Sequence, residues 1–430
     1  MLFAAGLLPA TPAGARSSQQ SSFLALAEEG AAQAQSAFKD NSHGLWNGHR
    51  NVPLQWYDER LYSHISYPLA TIWGSVPLFE ALSAIAMANP TSANRGTLDA
   101  FAEGIHPAAH APGTTTAKTA TAGAAKRPSR PGRRGASGGI TVYGGAESYW
   151  DSAMGAFAPY PGDRGPANSW FDDNSWWGIA FIDAYRALGK PRFLQDAQHA
   201  FDFVARRGWD ASRGGLWWNT AHEPSGQKSG EALAAGSLLG ALLAQAWQTA
   251  AQSASGTASQ TDRTTAASDL QNVQKFLSWG DAHFANFGGL YSRTQDDPTP
   301  MPYVAGPEIE AKELLCKLLP TGNPYCAEAT GLADAAYQRF AYRLNMGPQF
   351  DAIYLHWMLV YGQQAGDSRW APMALKFAND AQANSRVSGT GLYLKAWDGS
   401  DMSEHQAEPN MLRTDAATIE LFGWLGADGP

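Results

Sequence analysis

Two adjacent aspartates, Asp172 and Asp173, are the residues of this sequence best suited to acid–base chemistry. The aromatic side chains around them are Trp170, Phe171, Trp176 and Trp177. Hydrolysis of a glycosidic bond needs two carboxyl groups in different environments, one ionised as nucleophile or base and one protonated as acid. Indole rings can desolvate one carboxyl group and raise its pKa, while N–H groups at a helix start keep the other ionised. Neighbouring side chains in such a turn can lie about 5–5.5 Å apart, the separation found in retaining enzymes.

A helix start also gives a purely structural explanation for the same two aspartates. Asp, Asn and Ser are preferred immediately before a helix, where their side chains accept hydrogen bonds from unpaired N–H groups. The residues from Trp177 onward have the apolar spacing of an amphipathic helix. Capping residues usually have polar neighbours, however, and these aspartates have aromatic ones. Both interpretations therefore stay open on the residues alone.

Other carboxylates in the sequence fit structural roles better. Asp296 and Asp297 are followed by two prolines within three positions and are expected in a turn or loop. Glu308, Glu310 and Glu313 are expected near a helix start, where acidic side chains interact favourably with the helix dipole. We therefore assign no catalytic role to these five residues.

The sequence contains no motif for a metal ion or a nucleotide cofactor. Its 10 His residues form no H-x-x-x-H or Cys/His cluster, and no P-loop lysine or G-x-G-x-x-G after a strand is present. Residues 135–139 have the G-x-S-x-G spacing of a nucleophile elbow, but they lie in a low-complexity segment without the strand and helix that this turn requires. We expect neither a cofactor nor a metal.

The elements that must position these side chains are helical. Apolar residues recur every three or four positions, as at Trp177, Phe181, Ala184 and Leu188, and no long stretch alternates as a strand does. Short Gly-containing turns at 189–193, 322–325 and 366–370 each separate two such segments. They are typical of tight connections between paired helices.

A second recurring pattern predicts longer connections at the opposite end of the pairs. A Gly-Leu-aromatic run occurs at 214–217, 288–291 and 390–393, each time after a helical segment. The alternation of short turns and long loops indicates helical hairpins arranged in a ring, with functional residues on the long-loop face. We expect the aromatic residues of these loops to contribute to a sugar-binding cleft. An open helical solenoid is the alternative, although solenoid repeats are usually shorter and more regular.

Composition supports a large globular domain that binds sugars and not nucleic acid. Of 430 residues, 44% are hydrophobic and 16% charged, enough for a large core, and no apolar run is long enough to span a membrane. The 16 Trp and 15 Tyr exceed what a core alone needs, and flat aromatic faces suit sugars. The net charge of −8 disfavours nucleic acid. We expect a monomer.

Two segments stand apart from the helical pattern. Residues 107–139 contain six basic and no acidic residues among Ala, Gly, Thr, Ser and Pro, and are interpreted as an inserted basic linker. Residues 1–20 combine a short apolar run with Ala-Gly-Ala at 13–15, which favours an export signal or a disordered N-terminus. We therefore expect a secreted or cell-envelope protein. Cys316 and Cys326 are compatible with a disulfide or with two thiols.

The segment around the aspartates resembles glycoside hydrolase family 76, the α-1,6-mannanase family. The family hallmark is an aromatic-Asp-Asp-x-x-Trp-Trp run before a helix that ends in an Asp-Ala-Tyr-like segment, and residues 171–185 have this form. Further family-like elements follow in family order at 189–194, 209–218, 347–350 and 412–417. The resemblance extends from residue 45 to residue 425, interrupted by the linker.

The resemblance implies an all-α fold, an (α/α)6 barrel of six helical hairpins with long aromatic loops at one end, formed by a single catalytic domain over residues 21–430. It also implies retaining cleavage of α-1,6-linked mannose chains, with Asp172 as nucleophile and Asp173 as acid/base. The matching positions give four candidate substrate-binding residues, Trp176, Trp177, Trp218 and Tyr303. Trp177 suits the barrel core better, because it begins an apolar stripe.

Three departures from the family pattern concern substrate recognition. Lys228 is followed by Ser-Gly-Glu and not by an Asn-containing stretch, residues 303–306 read Tyr-Val-Ala-Gly and not Tyr-Asn-Gln-Gly, and Asp351 stands where Lys is common. Changed polar residues near a cleft change the hydrogen bonds to substrate, so the chemistry is better supported than the particular α-mannan. A mannan-directed cell-wall transglycosylase and a non-catalytic carbohydrate-binding protein stay open as alternatives.

Overall fold

The computed structural model describes residues 16–40, 45–48, 50, 56–58, 63–65, 70–102, 146–159, 169–221, 227–342, 344–400 and 410–429. Within these ranges the chain forms twelve α-helices that alternate between an inner and an outer layer. The inner helices are α2 (Ile72–Ala88), α4 (Phe171–Leu188), α6 (Gly230–Ser253), α8 (Pro302–Leu318), α10 (Pro348–Ala365) and α12 (Leu412–Asp428). The outer helices are α1 (Ser18–Phe38), α3 (Ser92–Ala102), α5 (Pro191–Phe203), α7 (Gly256–His283), α9 (Tyr325–Phe340) and α11 (Trp370–Asn384).

The inner helices form a closed ring. Each packs against the next along the chain, and α12 packs back against α2, while α1 covers α12 from outside. The approach of α1 to α12 relies on glycine, since a Cβ at Gly30 or Gly426 would lie 2.7 Å from Ile419 or 2.9 Å from Leu24. The all-α prediction is confirmed. The contact between α12 and α2 excludes the open solenoid.

The connections alternate as the sequence predicted. The inner helices α2, α4, α6, α8 and α10 each pass to the next outer helix through a short turn. Gly189 and Gly366 end α4 and α10 with φ of 70° and 72°. This left-handed conformation favours glycine, and Pro191 then starts α5 at the first helical position. The longer connections run from outer to inner helices. All six inner helices therefore begin at the long-loop end of the ring.

Short strands occur only as three antiparallel pairs in the described residues. They are β1 (Lys39–Asp40) with β2 (Leu45–Trp46), β3 (Trp56–Asp58) with β4 (Ser63–Ile65), and β5 (Trp150–Asp151) with β6 (Ala156–Phe157). All six strands belong to the connections that lead into α2 and α4. The linker at 107–139, including the G-x-S-x-G stretch, lies outside the described residues.

The Gly-Leu-aromatic loops have a different role from the one expected. Tyr291 and Tyr393 are buried, and their backbone N–H groups donate to Glu308 Oε2 (3.1 Å) and Asp415 Oδ1 (2.6 Å). Each bond fastens a loop to the inner helix that follows it. The expectation that these two tyrosines contribute to a cleft is wrong, because they have almost no accessible surface.

The acidic residues of α8 also differ from expectation. Glu308, Glu310 and Glu313 do not lie near the helix start, because α8 already begins at Pro302 and includes Pro307. All three glutamates are buried in the ring. The expected helix start was too late by about six residues, because the helix continues through Pro307. Asp296 and Asp297 do lie in a loop, as predicted.

The start of the first helix bears on the predicted N-terminal segment. Ser17 caps α1 in a capping box with Gln20, whose backbone N–H donates to Ser17 Oγ at 3.1 Å. The predicted boundary at residue 20 therefore falls inside α1. A cleavage after Ala15 would leave the helix complete. No helix among the described residues is long and apolar enough to cross a membrane.

A disulfide between Cys316 and Cys326 joins the end of α8 to the start of α9. Closing this loop of ten residues restricts the unfolded chain, so replacing both cysteines by alanine is expected to lower the free energy of unfolding by about 2–3 kcal/mol. Denaturant titration of both proteins measures the difference. Reductant should destabilise the wild type and leave the double variant unchanged. Equal sensitivity of the two proteins would contradict the prediction.

Candidate active site

Asp172 and Asp173 lie in the first turn of α4, at the long-loop end of the ring. Trp170 occupies the N-cap position, so neither aspartate is the capping residue. Both side chains are only 3% exposed. Two carboxylates at a helix start interact favourably with the helix dipole, yet burial of both costs solvation free energy. The capping explanation does not account for their positions.

Asn174 fixes the beginning of α4 against the β5–β6 hairpin. Its side-chain amide donates to Trp170 O (2.8 Å) and Ser169 Oγ (2.9 Å), and its Oδ1 accepts the N–H of Phe157 (2.8 Å). The residue is fully buried. Asn174 thus determines where the preceding two aspartates point. The sequence offered only its position inside the Asp-Asp-Asn-Ser run as a signal.

Two partly exposed tryptophans lie beside the aspartates. Trp170 and Trp218 pack edge to face with ring centroids 4.9 Å apart, and the N–H of Phe171 donates to Trp218 O at 3.0 Å. This bond holds the 209–218 loop against the helix start. Trp218 therefore lies against the helix start that carries the aspartates, and it is partly exposed. Trp170 also lies at this helix start and is partly exposed.

Tyr303, at the start of α8, lies within electrostatic reach of Asp172. Burial raises the pKa of Tyr303 well above its usual value, and the charges of Glu231 and Asp172 raise it further. Its hydroxyl is hydrogen-bonded to Glu231, which also accepts a bond from Arg293 Nε at 2.8 Å. Tyr303 therefore stays protonated near the candidate nucleophile. The negative charge of Asp172 thus acts on Tyr303, while the Tyr303 hydroxyl itself is bonded to Glu231.

Glu231 and Arg293 were not identified from the sequence. Glu231 is buried in the first turn of α6, and the Arg293 guanidinium lies 5.7 Å from the Trp218 ring. The pair connects the starts of α6 and α8 to the tryptophan next to the aspartates. The only sequence signal was an acidic residue directly after Ser229-Gly230, where a helix begins.

Replacing Tyr303 by phenylalanine is expected to lower kcat/KM about 10-fold, because a hydrogen bond to a buried carboxylate is lost. Steady-state kinetics on an α-mannan substrate measures the effect. Tyr291→Phe is the matched control, since the Tyr291 hydroxyl bonds Asp281 (2.8 Å) and Leu277 O (3.0 Å) away from the aspartates. It should cost about 1 kcal/mol of stability and leave kcat/KM unchanged. Equal kinetic effects would contradict the prediction.

The remaining two candidate residues are buried. Trp177 is 0% exposed and packs among Tyr149, Phe157 and Phe79, with the Phe157 ring stacked at 5.3 Å. It is a core residue with no surface to offer a substrate, so its substrate-binding assignment is not supported by this geometry. Trp176, in the second turn of α4, is 2% exposed. Trp176 therefore also has almost no accessible surface with which to contact a substrate.

A second aromatic group is contributed by three other inner helices. Trp73 of α2, Tyr303 of α8 and Phe350 of α10 contact one another, with the Tyr303 and Phe350 ring centroids 4.7 Å apart. Trp73 is partly exposed. All three lie at the start of their helices, on the same side of the ring as the aspartates. Aromatic surface is thus available at several points of this face.

Lys228, which precedes the first departure from the family pattern, and Asp351, which is itself a departure, have structural roles. Lys228 is buried, donates to Asp210 Oδ2 at 2.7 Å and lies 3.2 Å from the centre of the Trp217 ring. That bond lowers the pKa of Asp210. Asp351 is buried, which raises its pKa to about 8, although it accepts N–H bonds from Met346 (3.1 Å) and Gly347 (3.4 Å).

The geometry offers two buried carboxyl groups and a buried phenol on a face with aromatic surface. Neither aspartate belongs to a group of three described residues whose atoms could together hold a metal ion. Two buried carboxyl groups can transfer protons and attack as nucleophiles.

Residues 149–275 match the model of "Glycosyl hydrolase family 76". The match confirms the resemblance seen in the sequence and covers the region that carries Asp172 and Asp173. No curated protein sequence matches the chain.

Solved structures extend the likeness to the fold of nearly the whole chain. A family 76 glycoside hydrolase from a bovine Bacteroides thetaiotaomicron strain has a TM-score of 0.67 at 17% identity, over 94% of this chain and 77% of that one. A second solved structure is an inactive variant of the α-1,6-mannanase GH76A of Salegentibacter sp. HEL1_6, in which two consecutive aspartates are replaced by alanine, in complex with α-1,6-mannotetrose. It has a TM-score of 0.61 at 13% identity, over 94% of this chain and 98% of that one. Dfg5 from Chaetomium thermophilum in complex with glucosamine has a TM-score of 0.58 at 14% identity, over 96% and 92%.

Proposed function

We propose that this protein is a secreted retaining glycoside hydrolase that cleaves α-1,6-mannan internally, with Asp172 as nucleophile and Asp173 as acid/base. The observation that carries the proposal is the burial of both aspartates in the first turn of an inner helix, beside the partly exposed rings of Trp170 and Trp218. The family match over residues 149–275 supports the reaction class. The mannotetrose complex of a structural relative supports the substrate class.

The mechanism follows from two carboxyl groups in different roles. Asp172 attacks the anomeric carbon while Asp173 protonates the leaving oxygen, which gives a covalent mannosyl–enzyme ester. Asp173 then removes a proton from water, and the ester is hydrolysed with net retention of configuration. Tyr303 keeps a neutral phenol near the nucleophile, and its hydroxyl is hydrogen-bonded to Glu231. The rings of Trp170 and Trp218 offer apolar faces on which a sugar can stack.

Product profiling tests the proposal. The purified protein is incubated with linear α-1,6-mannan, with branched α-mannan and with a non-mannan polymer, and the released oligosaccharides are separated by size. We expect a series of short α-1,6-mannooligosaccharides from the linear polymer only. NMR of early products should show the α-anomer first, as retention requires. No new reducing ends from any mannan would contradict the proposal.

The same experiment separates the two alternative functions. With an added acceptor sugar, a transglycosylase gives products longer than the donor fragments, because an acceptor hydroxyl replaces water at the glycosyl–enzyme ester. A non-catalytic carbohydrate-binding protein binds the polymer without releasing products, and its affinity is the same in an Asp172→Asn variant. Hydrolysis products without any longer transfer products support the leading proposal.

Export is part of the proposal and has its own support. A disulfide between Cys316 and Cys326 is typical of proteins that fold in an oxidising compartment. The Ala-Gly-Ala pattern at 13–15 precedes the described start of α1. Expression in a host with a secretory pathway should yield extracellular protein that begins after Ala15. Retention of the full N-terminus inside the cell would contradict export.

A further inference from the structure

Three ionisable side chains lie at the same level inside the ring, away from the aspartate pair. Glu80 of α2, His356 of α10 and Glu420 of α12 each stand eight positions after the first residue of their helix. At a rise of about 1.5 Å per residue this is about 12 Å from the helix starts that carry the active-site face. One carboxylate oxygen from each glutamate and one imidazole nitrogen lie within 4.8 Å of one another.

The polar atoms of this cluster lack the partners that burial normally requires. All three side chains are at least 98% buried. Both oxygens of Glu80, both oxygens of Glu420 and Nδ1 of His356 have no hydrogen-bond partner among the described residues, apart from a proton that the two carboxyl groups can share. Nδ1 of His356 lies 3.6 Å from Glu80 Oε2, inside the cluster. Buried carboxylates without compensation are costly, so these carboxyl groups must either stay protonated or be balanced by a cation.

Neighbouring charges do not supply that positive group. The charged residues that act on the cluster are Asp183 and Arg186 of α4. The Arg186 guanidinium already donates to Asp183 Oδ1 (3.1 Å) and Gln245 Oε1 (3.3 Å). Burial raises the pKa of Glu80 and Glu420 and lowers the pKa of His356, so the empty cluster disfavours every charged form. A dication would balance both carboxylates and bind a neutral imidazole.

The imidazole is held in one orientation before any ion binds. The His356 ring stacks on Trp424 with centroids 3.8 Å apart and on Trp357 at 4.4 Å. Two glutamates on other helices face the same nitrogen. A ligand fixed by packing loses little entropy on binding, which is the arrangement expected of a structural ion site.

We propose that Glu80, His356 and Glu420 form a buried structural site for a divalent transition-metal ion, which ties α2, α10 and α12 together at the centre of the ring. Mixed carboxylate and imidazole ligands suit Zn²⁺ or Mn²⁺ better than Ca²⁺, which takes oxygen ligands only. Bond lengths of about 2.0–2.2 Å to Zn²⁺ require the three ligand atoms to move slightly closer together. The inference is independent of the proposed catalytic function.

The test measures bound metal and stability in place of activity. The full-length protein is expressed in medium supplemented with Zn²⁺ and purified. Its metal content is then determined by inductively coupled plasma mass spectrometry. We expect one Zn²⁺ per chain, and a thermal unfolding temperature that falls after removal of the ion with a chelator during refolding and recovers when Zn²⁺ is added. Ca²⁺ should not restore it.

Three variants make the result specific. Glu420→Gln and His356→Gln each remove one proposed ligand of the ion. The affinity for Zn²⁺ should therefore fall by more than the 10–100-fold loss that is typical when a residue hydrogen-bonded to a metal ligand is replaced. Glu420→Gln is expected to fold without metal, because it replaces a buried acid by a neutral side chain of the same shape. Glu310→Gln is the control, since Glu310 lies at the same level of α8 but accepts a bond from Gln364 at 2.7 Å. It should bind Zn²⁺ normally.

Two results would overturn the proposal. One is a folded wild type that holds neither Zn²⁺ nor Mn²⁺ and unfolds at a temperature independent of both, which would leave a proton shared by Glu80 and Glu420 as the explanation. The other is equal Zn²⁺ binding by the wild type and Glu420→Gln, which would place the ion elsewhere on the molecule.

Discussion

Replacing Asp172 by asparagine is expected to lower the rate of α-1,6-mannan hydrolysis by at least about four orders of magnitude, because without a nucleophile the glycosyl–enzyme ester cannot form. Asparagine has the same shape and is neutral, so the first turn of α4 should keep its structure, and thermal unfolding checks this. Release of reducing ends from the linear polymer measures the loss. Wild-type activity in this variant would overturn the proposed mechanism.

Asp173→Asn distinguishes the two roles. Loss of a general acid typically costs about 10²–10⁴-fold, and only when the leaving group needs a proton. With an aryl α-mannoside whose phenol leaves without protonation, formation of the ester should proceed at nearly the wild-type rate in Asp173→Asn and not in Asp172→Asn. The initial burst of released phenol measures this step. Asp296→Asn, in an exposed loop, is the control with expected wild-type kinetics.

Replacing Gly230 by alanine is expected to have the largest effect on stability among glycine variants at the active-site face. A Cβ at this position would lie 2.0 Å from the backbone oxygen of Ser292 and 3.2 Å from that of Arg293. Backbone atoms cannot rotate away as a side chain can, so the start of α6 must shift. We expect a loss of about 3 kcal/mol in the free energy of unfolding. Because Glu231 and Arg293 move with it, kcat/KM should also fall.

Gly331→Ala is the matched control. Gly331 lies inside α9, and a Cβ there meets no other atom within 4 Å. Alanine in an open helical position restricts the unfolded chain, so this variant should gain about 0.4–1 kcal/mol and keep wild-type kinetics. Denaturant unfolding of both variants provides the comparison. Similar stability of Gly230→Ala and the wild type would show that the Ser292 segment can move freely.

Local sequence signals predicted the parts of the fold that depend on a few neighbouring residues. The turns at Gly189 and Gly366 were recognisable because a left-handed residue followed by a helix start has a strong composition signal. The position of Asp172 and Asp173 at a helix start followed from the amphipathic stripe that begins at Trp177. These predictions needed no knowledge of which helices meet.

The parts that depend on contacts between distant residues were not predictable in this way. Glu231 meets Arg293 and Tyr303 because the connections into α6 and α8 converge at one end of the ring, and the sequence separation of these residues carries no pattern. The same holds for Glu80, His356 and Glu420, whose ligand-like arrangement arises from helices far apart in the chain. A search for H-x-x-x-H spacing detects only sites built on one helix.

The aromatic surplus was interpreted mainly as sugar-binding surface, and the structure assigns much of it to packing. Trp177, Trp357 and Trp370 are among the largest fully buried side chains, together with Tyr291 and Tyr393. A wide ring of helices leaves a large interior, and bulky rings fill it. Composition shows how many aromatic residues the chain has but not which of them keep an accessible face. Trp170 and Trp218 could be distinguished from the buried aromatic residues only by their positions in the structure.

The pairing of α1 with α12 also determines when the fold can form during synthesis. About 370 residues separate Phe38 from Leu412, and at ~5–20 residues per second the ribosome needs roughly 20–80 s to make them. Through that interval Phe23 and Leu24 of α1 have no α12 to cover them. Until α12 has been synthesised, this apolar surface of α1 stays uncovered, and the chain is vulnerable to aggregation.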